Sequence, residues 1–245
     1  MPSIKDVGKR LANRAGYAIR NLQPAASHLR PLGDQDSVFA DFKARGFDPA
    51  LIFDIGASNG TWTEAVRPIF PKARFVTVEP RETGFKPTIR AAVGAEEGTA
   101  TLTDWETGST LLTTEPAAGK KYQVPVTTLD RLAGRFGTPD LVKLDVEGFE
   151  LEALKGAGDL LGRTELFVIE IALYRFSGRP MIHEVVPFMA DRGYFVYDVA
   201  GFIRRPFDGA IGLMDLCFAR GASDPIPRSG RSLRGSETEW HARSR

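Results

Sequence analysis

The hydrophobic positions of the chain fall into short unbroken runs separated by stretches with helical spacing. Leu51-Ile52-Phe53-Asp54-Ile55 is a run that stops at Gly56, the pattern of a strand buried on both faces. Trp62 to Phe70 then fits a helix, and Arg74 to Glu79, closed by Pro80, a second strand. Ile89 to Val93, closed by Gly94, reads as a third. Gly98 to Thr103 and Gln123 to Thr127 read as extended segments around a Gly/Thr/Pro-rich loop. Leu129 to Phe136 predicts a short helix, Asp140 to Leu144 a strand, and Phe149 to Lys155 a helix. Glu165 to Ile171 is the next strand and Ile182 to Arg192 the next helix; Tyr194 to Val199 and Leu213 to Ala219 supply the last two strands. Strands that alternate with helices imply right-handed crossovers and a mainly parallel sheet. The expected architecture is α/β and Rossmann-like: a mainly parallel seven-stranded sheet with helices on both faces. No internal repeat is visible.

Both ends depart from this pattern. Ile4, Val7, Leu11, Ala15, Ala18 and Leu22 recur at helical spacing among Lys5, Lys9, Arg10, Arg14 and Arg20. Residues 1–30 therefore predict an amphipathic basic helix, within an extension reaching residue 35, that packs on its own domain or on a second copy. A membrane-surface role is the minority reading. Residues 221–245 are rich in Ser, Gly and Arg and predict a disordered tail. The folded domain is expected over 36–220.

Composition narrows the class without choosing a function. The chain has 245 residues, 42% of them hydrophobic, with a formal net charge of +1. That suits one core-forming domain and gives no global field for nucleic acid. Cys217 is the only cysteine, so a disulfide within the chain is excluded and a cysteine-based zinc site disfavoured. No apolar run has the length of a membrane span, and no signal-peptide core is visible at the N-terminus, so a cytoplasmic protein is expected.

The most informative stretch is Asp54-Ile55-Gly56-Ala57-Ser58-Asn59-Gly60, between a strand and a helix, where open α/β sheets bind ligands. Gly56 and Gly60 permit a sharp turn and close backbone approach. The loop amides and the helix start can accept a carboxylate, and Asp54 adds a negative charge. A ligand with both an ammonium and a carboxylate fits that pair, as does the amino-acid end of S-adenosylmethionine (SAM). The spacing departs from the Gly-x-Gly-x-x-Gly dinucleotide fingerprint. Glu79 ends the second strand about twenty residues further on, where an acid can accept hydrogen bonds from ribose hydroxyls. NAD shares that need, so Glu79 supports a ribose without choosing between the two. The plain alternatives are a strand-to-helix turn and a solvated strand-end acid.

Leu141-Val142-Lys143-Leu144-Asp145-Val146-Glu147-Gly148-Phe149-Glu150 runs from a strand into a helix and places Asp145 and Glu147 at the carboxyl edge of the sheet. Such crowding of acids raises at least one pKa unless a cation or hydrogen bond relieves it. Capping of the helix start is the structural alternative for each. Three segments together resemble the FkbM-type methyltransferase family: Asp54 to Gly60, Val126-Thr127-Thr128-Leu129-Asp130, and Lys143 through Ala157. Their order and spacing match over roughly residues 50–220, with Ser58 where the family more usually has asparagine. The resemblance implies the class I methyltransferase fold, SAM as cofactor, and O-methylation, often of sugars, glycans or natural products.

Methyl transfer to oxygen needs alignment, exclusion of water and removal of the acceptor's proton. Asp145, His183 and Glu147 are the candidate catalytic groups, in that order. His183 is the only histidine inside the expected domain, and its neutral pKa suits proton transfer. Glu170 and Tyr174 follow the fifth strand and are candidates for binding acceptor hydroxyls. A divalent-cation site from Asp145, Glu147 and Glu170 is conceivable but not favoured, since the acids form no recognised metal loop. The competing functions are an NAD-dependent oxidoreductase and a non-catalytic SAM-binding module. A nucleic-acid methyltransferase is weaker, because the fourth strand ends in Asp-Val-Glu-Gly rather than Asn/Asp-Pro-Pro-aromatic. The expected partners are a small-molecule or glycan substrate and, through the N-terminal helix, a second copy.

Overall fold

A computed structural model of the chain describes residues 30–105, 108–111, 120–175 and 178–221. Except for Arg30, the amphipathic helix expected over 1–30 lies outside these residues, as does the tail beyond Gly221.

Six strands form the main sheet among the described residues. They are β1 (Leu51–Ile55), β2 (Arg74–Val78), β7 (Leu141–Leu144), β8 (Leu166–Ala172), β9 (Tyr194–Arg204) and β10 (Ile211–Arg220), in the order β2-β1-β7-β8-β10-β9. The first four are parallel; β10 runs antiparallel between β8 and β9. Four further strands make a second sheet: β3 (Ala92–Val93), β4 (Gly98–Trp105), β5 (Gly108–Thr110) and β6 (Lys120–Thr127), in the order β3-β6-β4-β5.

Among the described residues the main sheet has no seventh strand, which the sequence pattern leads one to expect. Ile89 makes a single parallel bridge with Val78, and the chain then turns away. Ala92 and Val93 pair with Val126 and Thr127 instead. One apolar segment thus divides its hydrogen bonds between two sheets, which its periodicity alone does not reveal.

Helices cover both faces, as period-two alternation requires. Phe53 and Ile55 of β1, Val142 and Leu144 of β7, and Phe167 and Ile169 of β8 pack toward α3 (Leu129–Phe136), α4 (Glu150–Lys155) and α5 (Ile182–Ala190). The intervening Ile52, Leu141 and Val168 pack on the opposite face against Phe39 and Phe42 of α1 (Gln35–Ala44) and Val66 of α2 (Thr61–Val66). Each fully buried Phe, Leu or Ile contributes about 1.5–3 kcal/mol. The sequence pattern leaves α1 unassigned. Arg30 ties its approach to the domain through ion pairs with Asp41 and Asp198. Helix α2 ends sooner than expected: Arg67 still has helical dihedrals, but Pro68 has no N–H to donate to the Glu64 carbonyl.

Part of the sequence motif is structural. Thr128 caps α3 by accepting from the Arg131 amide at 3.0 Å. Asp130 accepts from the amides of Asp159 (3.0 Å) and Leu160 (2.9 Å), and Gly156 sits so close to the Gly94 carbonyl that a Cβ would lie 2.2 Å from its oxygen.

Candidate functional site

A cavity opens at the carboxyl ends of β1, β2 and β7. Its empty space, counted out through the open mouth, is about 680 Å³. Gly56, Ser58, Glu79, Arg81, Asp145 and Glu147 line it on the polar side; Ala91, Val93, Leu102, Leu111 and Phe149 form apolar walls. The second sheet contributes Leu102 of β4 to the apolar wall.

Gly56 and Gly60 both have φ of +83°, in the left-handed region. Most of the loop amides have protein partners. Gly56 and Ala57 donate to the Val78 carbonyl at 2.9 and 3.0 Å, and Gly60 to the Ala57 carbonyl at 2.8 Å. Ser58 donates to Glu79 Oε2 at 2.9 Å, and Thr61 to Asn59 Oδ1 at 3.3 Å. The loop is thereby fastened to β2, and its backbone is less available to a ligand carboxylate than the sequence implies. Asn59 is exposed and bonds the Thr61 hydroxyl, while Ala57 is buried. Neither side chain lines the cavity.

Asp54 does not line it either. Its side chain is buried on the α2 face, because alternation points it away from Phe53 and Ile55, and it accepts from Thr63 Oγ1 at 2.5 Å. Burial raises its pKa to about 6, against the Thr63 hydrogen bond and the charge of Lys143. Asp54 anchors α2 beneath the loop.

Glu79 reaches the cavity from the end of β2. Besides the Ser58 amide, it accepts from the Arg81 amide and Nε, both at 3.0 Å on Oε1. A carboxylate has about four acceptor positions, so Glu79 retains room for about one further donor. Arg81, which the sequence reading passes over, also donates to Ser58 Oγ at 2.9 Å.

Asp145 follows β7. Its amide donates to the Ile55 carbonyl at 3.0 Å, and its side chain is one-third exposed to the cavity. Glu147 has φ of +54°, a strained value for a non-glycine residue. Buried Glu150 holds this loop by accepting from the Val146 (3.2 Å) and Gly148 (3.0 Å) amides. Burial raises the Glu150 pKa to about 7, against its backbone hydrogen bonds.

Further along the carboxyl edge, Arg179 forms ion pairs with Glu147 and, at 3.3 Å, with Glu170. The Glu170 pKa is raised to about 9, first by burial and then by the Asp145 charge, with Lys143 opposing. Glu170 thus stands beside Asp145 in a setting that favours its protonated form. Tyr174 lies under the Arg205 guanidinium, 4.8 Å from its ring centre. Neither Glu170 nor Tyr174 lines the cavity wall. His183 is exposed on the first turn of α5 and lines no part of the cavity, so of the three candidate catalytic groups only Asp145 and Glu147 share it. Among the described residues no cluster of three His, Cys, Asp or Glu is arranged to hold a metal ion. The cations that meet Asp145, Glu147 and Glu170 are Lys143 and Arg179.

Sequence reasoning also missed Asp215, whose carboxylate meets Lys143. The signal was present: Lys143 is the lone charge of β7, and Asp215 is the one charge in the apolar run from Ile211 to Ala219. Among the described residues no helix is long and apolar enough to cross a membrane.

The methyltransferase FkbM domain model matches residues 54–196, more than half of the chain. No curated protein matches. Among solved structures, the chain is similar to a methyltransferase FkbM from Methylobacillus flagellatus, at 15% identity and a TM-score of 0.46; the match covers 78% of this chain and 45% of that one. The chain therefore spans less than half the length of that protein. It is also similar to precorrin-6y C5,15-methyltransferase from Geobacter metallireducens, at 14% identity and a TM-score of 0.42, covering 75% of this chain and 86% of that one. A third similar structure is magnesium protoporphyrin IX methyltransferase from Synechocystis with bound SAH, at 14% identity and a TM-score of 0.41, covering 90% and 89%.

Proposed function

This chain belongs to the FkbM methyltransferase family, and we propose that it transfers the methyl group of SAM to a hydroxyl oxygen of a sugar, glycan or natural-product acceptor. The observation that carries this reading is the shared cavity of Glu79 and Asp145, one acid from the end of β2 and one from the end of β7.

The residues present fit SAM. Leu102, Ala91, Val93 and Phe149 offer apolar surface for an adenine ring, and Glu79 has an acceptor position for a ribose hydroxyl. Asp145 supplies negative charge suited to a cationic centre. SAM, when bound, supplies a methyl group already activated on a sulfonium. The protein's own work is then to orient the acceptor oxygen, exclude water and remove one proton. Asp145 is the group assigned to that proton, taken on a carboxylate oxygen, and a positioned base contributes about 10²–10⁴-fold. Arg179 neutralises Glu147, which leaves Asp145 the more available acid. Glu170 and Tyr174, beyond the cavity wall, are assigned to acceptor hydroxyls.

The test is a calorimetric titration with SAM, SAH and NAD, followed by transfer of labelled methyl from SAM to a panel of neutral sugars, glycosides and hydroxylated natural products. SAM and SAH binding with label on oxygen is the expected result. NAD binding without SAM binding would replace this reading with an oxidoreductase. SAM binding without transfer to any acceptor would favour a binding module, and label on nitrogen or carbon would overturn the oxygen assignment.

A further inference from the structure

Lys143 stands in β7, an interior strand, with only 3% of its surface exposed. Alternation along β7 sends Val142 and Leu144 to the face of α3, α4 and α5, and Leu141 and Lys143 to the face of α1 and α2. A buried ammonium is costly by several kcal/mol unless it is paired. Lys143 is paired twice. Its Nζ makes direct contact with Asp215 Oδ1 of β10 and lies 3.6 Å from Asp145 Oδ2.

We propose that Lys143 and Asp215 are a positioning pair that holds the Asp145 carboxylate at the cavity while leaving its oxygens open to the acceptor. The proposal rests on the reading of Asp145 as the group that takes the acceptor's proton. At 3.6 Å the ammonium is an ion-pair partner of Asp145 but too distant for a hydrogen bond. Asp215 draws Nζ back from Asp145, so the charge of Asp145 is balanced without its acceptor positions being filled.

A second feature shows that the fold makes room for Asp215. Gly201 of β9 is its partner across the ladder, and a Cβ there would lie 2.5 Å from Asp215 Oδ2. The β9–β10 register shifts immediately after Asp215, between Asp215 and Leu216. Bulges of this kind re-aim a side chain beside a site. Burial by itself would lower the Lys143 pKa, but the carboxylates of Asp145 and Asp215 more than offset it, so the ammonium stays charged. The other titratable groups coupled to Asp145 are Asp54 from β1, Glu150 from α4 and Glu170 from β8; Glu147, two residues further on, is paired with Arg179. None is changed in the variants below.

The experiment measures turnover against pH, SAM affinity by calorimetry, and melting temperature for Asp215→Asn, Gly201→Ala and the double variant Lys143→Met/Asp215→Asn. In Asp215→Asn the ammonium closes on Asp145. Turnover falls about tenfold or more, SAM affinity stays within about twofold of wild type, and the acidic limb of the pH profile moves to lower pH. Gly201→Ala displaces Asp215 and moves the limb the same way. The double variant removes the ammonium and moves the limb the opposite way, to higher pH. A loss of stability alone would not move the limb in opposite directions. A profile unmoved in folded Asp215→Asn, or moved upward, overturns the pair; if the double variant does not fold, Asp215→Asn and Gly201→Ala decide the matter. Asp145→Asn, run alongside, separates the two readings: wild-type turnover there would remove Asp145 from the chemistry, whatever the pair does.

Discussion

The carbonyl oxygen of Asp145 lies 1.7 Å from the point where a Cβ on Gly56 would stand. The loops after β1 and β7 therefore touch through backbone, at a position whose φ of +83° already favours glycine. The close approach that the glycine permits is to another loop of the protein. Gly56→Ala is expected to cost about 3 kcal/mol or more, from left-handed strain and the displaced carbonyl together. For a domain of this size that lowers the melting temperature by about 6 °C or more. Thermal denaturation checks it, and a wild-type melting temperature would show that the two loops separate freely.

Glu79→Gln tests the ribose assignment. The amide keeps one acceptor atom but loses the charge that holds Arg81 through Nε and the backbone amide. Losing one charge-assisted hydrogen bond to the ligand weakens SAM binding by about 10- to 100-fold. Calorimetry against both SAM and SAH should show the same loss, since the two share the ribose.

Asp145→Asn and His183→Ala should part company. The structure places Asp145 in the cavity and leaves His183 exposed on α5. Turnover is expected to fall about 10²-fold or more in the first and to stay within about twofold of wild type in the second, with SAM affinity nearly intact in both. A large loss in His183→Ala would mean that α5 moves toward the cavity during the reaction.

Glu150 carries a pH signature. It ionises near 4.5 in an ordinary setting and about 7 in the fold. Between those values the folded protein holds a proton that the unfolded chain has released, so this group makes stability fall as pH rises through the window. Asp54, raised to about 6, acts in the same direction from 3.8 upward. Glu150→Gln keeps an acceptor for the Val146 and Gly148 amides and removes the buried charge. Its melting temperature relative to wild type should rise by about 3 °C or more between pH 4.5 and pH 8. A difference that does not change with pH would mean that Glu150 is ionised throughout.

Much of the fold was legible because strand burial writes itself as apolar runs. Leu51 to Ile55 and Leu141 to Leu144 are buried on both faces, and no other pattern of that length is compatible with a central parallel strand. Helix α3 was legible over Leu129–Phe136, while its cap at Thr128 came to light only in the structure. The segment from Ile89 to Val93 was legible as extended but not as divided, because which sheet receives each hydrogen bond depends on β6, more than thirty residues away.

The sequence by itself determined the family, the parallel core, and that Glu79 and Asp145 each stand at the carboxyl end of a core strand. Each of these follows from residue type at a strand end, which is local information. Only the tertiary structure decided that Asp54 supports α2, that the loop amides are used up by Val78 and Glu79, and that His183 stands outside the cavity. It alone joined Lys143 to Asp215, separated by 72 residues in the chain. The pairing depends on β10 inserting antiparallel beside β8, and on a glycine in β9 leaving space for a carboxylate. Charge pairing of this kind is a property of three-dimensional neighbours, and a single strand's pattern records only that a lone charge is there.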